Sequence, residues 1–94
     1  MIKKRFLELL KNDIQENDLF SGLLIKALEN QEKENENQEK QYFFIIQTLE
    51  NYYNDYINYI GLLYDIMQLL KKRFNNDITK DNILKCIDIL IIRE

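Results

Sequence analysis

Residues Tyr42 to Phe74, YFFIIQTLENYYNDYINYIGLLYDIMQLLKKRF, decide how this chain folds, because they hold its longest periodic pattern and all six of its tyrosines. With heptad letters assigned from Tyr42 at a, the a positions are Tyr42, Leu49, Tyr56, Leu63 and Leu70. The d positions are Ile45, Tyr52, Tyr59, Ile66 and Arg73, and the e positions are Ile46, Tyr53, Ile60, Met67 and Phe74. Positions c and f, on the far side, are polar or glycine except for Phe44. Apolar residues three and four apart over about five heptads predict an amphipathic helix, since a half-buried strand would alternate at every second residue. A seam of a and d alone would mark a coiled coil, whereas filling e as well predicts a helix packed among several neighbours. Gly61 falls at f, and the register passes through it without a slip. The pattern therefore predicts one helix over about residues 40–75, about 52 Å long at 1.5 Å per residue, bent rather than broken at Gly61.

Working outward, the N-terminal side holds two shorter periodic segments. Ile2, Phe6, Leu9 or Leu10, and Ile14 recur at helical spacing and predict a helix from Ile2 to Gln15. Its start carries Lys3, Lys4 and Arg5, where the positive end of the helix dipole disfavours cations. Asn17 and Asp18 are good N-cap residues for a second helix beginning near Leu19, with Phe20, Leu23, Leu24, Ala27 and Leu28 on its apolar side. Gly22 in its first turns would allow close approach of a neighbouring helix. The run Glu29 to Gln41, ENQEKENENQEKQ, is polar all round and buries nothing, so it reads either as an exposed helical extension or, at residues 30–40, as a polar linker or exposed turn, with asparagine favouring a turn near Asn35 to Asn37.

On the C-terminal side, Asn75, Asn76 and Asp77 end the long helix, and Lys71, Lys72 and Arg73 complement its dipole. A final helix is predicted from Lys80 to Ile92 or Arg93, capped by Thr79 or Asp77. Ile83, Leu84, Ile87, Leu90 and Ile91 face inward, while Ile89 and Ile92 widen the apolar surface until only Asp81, Lys85 and Asp88 remain as an exposed strip. A helix so apolar needs cover on more than one side.

Composition agrees with this reading. The 94 residues include no proline and two glycines, which suits an all-α chain poor in turn formers. The fold class expected is a single-domain (1–94) small antiparallel bundle of about four helices organised on the long one. The net charge of −3 gives no broad attraction for nucleic acid. One cysteine cannot form an internal disulfide. The basic start is interrupted by Glu8 and Lys11 before any signal-peptide apolar run forms, and no window reaches the eighteen or so apolar residues of a membrane span. A cytoplasmic protein with no membrane association is the expectation.

No residues stand out as catalytic, cofactor-binding or metal-binding. The absence of histidine removes the commonest general base and the usual partner of a serine or cysteine nucleophile. Cys86 shares a face with Ile83 and Leu90 and reads as a small core residue. Asp77, Thr79, Asp81 and Asp88 echo the spacing of a calcium loop, but Asn82 stands where glycine is needed and Lys85 sits among the ligands, so capping explains them better. The tyrosines are the residues that suggest a role, since tyrosine supplies large amphipathic contact area and is enriched at protein interfaces. Between Tyr42 and Asp65 there is no lysine or arginine, so a base-stacking surface would repel phosphates.

The function expected is therefore a non-enzymatic interaction module: a small inhibitor, immunity factor, adaptor or assembly subunit. It would need no cofactor and would bind a protein partner or a second copy through Tyr52, Tyr53, Tyr56, Tyr59, Ile60, Tyr64, Ile89 and Ile92. The alternative is a nucleic-acid-associated regulator, dimeric so as to bring Lys3–Arg5 together with Lys71–Arg73.

Overall fold

The computed structural model describes residues 2–30 and 59–93, with side chains over 4–29 and 61–93. Four helices are present among them and no strand: α1 (Ile2–Glu16), α2 (Asp18–Asn30), α3 (Tyr59–Phe74) and α4 (Lys80–Arg93). α1 packs against both α2 and α4, and α3 packs against α4. The predicted long helix is represented here by α3, which runs through Gly61. Its first part, 40–58, and most of the polar run at 30–40 lie outside the described residues.

In a chain this poor in glycine and proline, asparagine makes the two described connections, between α1 and α2 and after α3. Asn17 alone separates α1 from α2. Its N–H donates to Asp13 O at 2.9 Å, closing α1, and its C=O accepts from Ser21 N at 3.0 Å, opening α2. Its side-chain Oδ1 accepts from Phe20 N at 3.0 Å, which satisfies one of the donors left over at the helix start. At the end of α3, Asn75 and Asn76 take φ of 51° and 58°. This left-handed region is one that asparagine tolerates better than most residues. Asn76 N then donates back to Leu70 O at 2.9 Å and Asp77 N to Phe74 O at 2.9 Å. Of the two caps foreseen for α4, Thr79 is the one used, its Oγ1 accepting from Asn82 N at 3.2 Å, while Asn82 Nδ2 donates to Asp77 O at 2.8 Å.

The core is continuous across all four helices. It contains Phe6, Leu7, Leu10 and Ile14 from α1, and Leu24, Ala27 and Leu28 from α2. α3 contributes Leu62, Leu63, Ile66, Met67, Leu69 and Leu70, and α4 contributes Ile83, Cys86, Ile87 and Leu90. Of the pair Leu9 or Leu10, Leu10 is buried and Leu9 is 44% exposed. The stripe on α3 is wider than a, d and e. Leu62 and Leu69, both at g, are buried as well, as suits a helix packed on more than its a/d seam.

Two polar contacts fix how α1 and α4 lie. Lys80, at the start of α4, donates through Nζ to Gln15 O at 3.2 Å and Asp18 Oδ1 at 3.3 Å. Lys11 Nζ donates to Asp88 Oδ1 at 2.7 Å. As α4 advances from 80 to 88, its partners on α1 recede from 15 to 11, so the two helices are antiparallel. Expected close packing at Gly22 does not occur. A β-carbon there would meet nothing within 4 Å, because the residue lies on the solvent side of α2.

Candidate protein interface

Most polar side chains that attracted notice in the sequence hold the fold. Thr79 caps α4, Asp77 accepts from Asn82 Nδ2 through both its backbone O and its Oδ2, and Asp88 accepts the ammonium of Lys11. Among the described residues no three His, Cys, Asp or Glu side chains come together in a way that could hold a metal ion. Cys86 lies fully inside the core, and burial pushes its thiol up from 9.0 to about 11, against the opposing pull of the positive Arg73. The thiol is therefore held protonated at neutral pH, the reverse of what a nucleophilic cysteine needs.

The candidate interface residues divide. Tyr52, Tyr53 and Tyr56 lie outside the described residues, and Tyr59 and Ile60 fall in the first turn of α3, where side chains are not described. Tyr64 is 56% exposed on α3. At 100° per residue it points about 140° away from the middle of the buried stripe, so it cannot serve the core. On α4, Ile89 is half-buried and packs against the core, while Ile92 is 83% exposed. Three residues apart on one helix, Ile89 and Ile92 are surface neighbours. Lys85 and Arg93, both exposed, flank them.

Two exposed apolar residues were not foreseen as surface. Leu19 is 77% exposed at the start of α2, and Leu9 is half-exposed on α1. The signal was in the period: Leu19 sits about 140° round the helix from Leu24, whereas Ser21 sits about 60° away. Ser21 is accordingly buried, with its Oγ donating to Asp18 O at 3.1 Å.

The two basic clusters are separated. Lys4 and Arg5 begin α1, beside the end of α4 and Arg93, because the two helices are antiparallel. Lys71, Lys72 and Arg73 end α3, at the other end of the bundle next to Lys80. Ten residues of α1 from Arg5 to Gln15 put about 15 Å between those ends. One copy therefore does not bring the two clusters together.

The described residues thus define a small all-α bundle, with apolar side chains of α3 and α4 turned outward. No family model matches the chain, and no curated protein or solved structure does either. No helix among the described residues is long and apolar enough to cross a membrane.

Proposed function

We propose that this chain is a non-enzymatic protein-binding module: an inhibitor, immunity factor, adaptor or assembly subunit. It engages a protein partner through the outward apolar residues of α3 and α4. The observation behind this reading is Ile92, 83% exposed beside Ile89 on a helix whose core-facing side is already filled by Ile83, Cys86, Ile87 and Leu90. An isoleucine in that position adds nothing to packing, and burying it against a partner would remove about 1.5–3 kcal/mol of unfavourable hydration. Tyr64 adds an amphipathic ring on the adjoining helix. The polar groups of the described residues support the same reading, since the named hydrogen bonds and ion pairs serve caps and helix–helix contacts.

The experiment is capture from host extract on the immobilised chain, with Ile92→Ser and Tyr64→Ser as controls. A protein retained by the parent chain and lost with either substitution, at unchanged helicity, would support the proposal. Retention by all three alike would place the partner elsewhere.

A further inference from the structure

The charges of α1 run against its own dipole. Helices are favoured by acids in the first turn and bases in the last. The other three described helices each have at least one of these: Asp18 in α2, Lys71 to Arg73 in α3, and Asp81 with Arg93 in α4. α1 has neither; its first turn holds Lys3, Lys4 and Arg5, and Glu16 closes its last. Arg5 and Glu16 are both exposed, and neither has an ion-pair partner among the described residues.

These two residues belong to one line on the helix surface. Arg5, Leu9, Asn12 and Glu16 are spaced four, three and four apart, so they stack along one side over about 16 Å. All four are exposed, and the apolar member, Leu9, sits near the middle. The line has a cation at one end and an anion at the other, and so is complementary to itself when reversed.

We propose that this face of α1 pairs with the same face of a second copy of the chain, the helices antiparallel about a two-fold axis between Leu9 and Asn12. In that arrangement each Arg5 meets the second copy's Glu16. The two Leu9 side chains lie about 4.5 Å apart along the axis, close enough to touch at an ordinary interhelical separation. Lys4 and Glu8, on one flank, meet the neutral Gln15 of the second copy. Each basic N-terminus also faces the negative end of the opposing helix dipole, which removes the unfavourable arrangement present in one copy alone. Lys11, which reaches α4 through Asp88, lies about 100–160° round α1 from Arg5, Leu9, Asn12 and Glu16, so the paired face points away from α4 and its Ile89 and Ile92. With one leucine from each copy and two exposed ion pairs in all, the association is weak and salt-dependent.

Sedimentation equilibrium of the purified chain tests it, at about 0.01 M ionic strength, where charges act over about 30 Å, and again near 1 M, where they act over about 3 Å. Dimer is expected at low salt and monomer at high salt. Arg5→Glu and Glu16→Arg should each weaken self-association by about tenfold or more. The double variant should restore it, and so should a one-to-one mixture of the two singly reversed chains, with circular dichroism confirming the fold of each. A monomer at low salt would overturn the proposal, as would a dimer indifferent to the single reversals or not rescued by the double variant.

Discussion

Ile87 and Ile92 stand five residues apart on the same helix and have opposite fates. The first is completely buried and the second is 83% exposed. The same contrast separates Leu70 from Tyr64 on α3 and Leu24 from Leu19 on α2, the inward residue essentially inaccessible and the outward one more than half exposed. Both members of each pair are large and apolar or aromatic; what differs is angular position on the helix. On the proposed function, folding would draw on the inward apolar residues and partner binding on the outward ones, and substitutions should separate the two.

The largest effect expected from breaking that contrast is on the inward side. Leu70→Ala and Ile87→Ala should each cost about 2–5 kcal/mol, since both remove fully buried methyl groups and leave a cavity. Ile92→Ser and Leu19→Ser should stay within about 0.5 kcal/mol of the parent chain. Urea unfolding followed by far-ultraviolet circular dichroism measures both. A loss of several kcal/mol at Ile92 would mean that it serves the core after all.

Cys86 sharpens the contrast through pH. Its thiol is raised to about 11 in the folded chain from 9.0, so it is neutral in both states at pH 7. The resulting stabilisation is fully present below about pH 9 and falls as pH rises towards about 11, because only the unfolded chain can ionise the thiol in that window. Alkaline unfolding of Cys86→Ala, compared with the parent, should lack this component. A thiol reagent at pH 8 should label native protein only at the rate of unfolding.

Smaller effects belong to the asparagine and threonine junctions and to the open side of α2. Asn17→Ala and Thr79→Ala each remove a side-chain cap and should cost about 1 kcal/mol. Gly22→Ala should stabilise by up to about 1 kcal/mol, because the new methyl group meets nothing and the helix gains propensity. Thermal melts of the three variants give the order directly.

Much of this architecture could be read from periodicity and caps. α1 and α4 begin and end, and α2 begins, within a residue or two of where Asn17, Thr79 and the apolar spacing put them. The flanking residues were harder to read. Leu7, Leu62 and Leu69 are buried beyond the stripe that the spacing marks out, and no pattern internal to one helix reports where its neighbours are. Gly22 failed as a close-approach site for the same reason. A small residue permits contact, but only the path of the next helix determines whether contact occurs. For the candidate interface, the outward direction of Tyr64 follows from the heptad, whereas the half-burial of Ile89 comes from packing against the core beside the inward stripe.

The most direct test of the central claim compares partner capture with stability in the Tyr64→Ser, Ile92→Ser double variant. An unchanged melting temperature together with loss of a protein that the parent chain retains is the predicted result. A double variant that still captures that protein at full strength would contradict the assignment of the outward residues of α3 and α4 as the binding face.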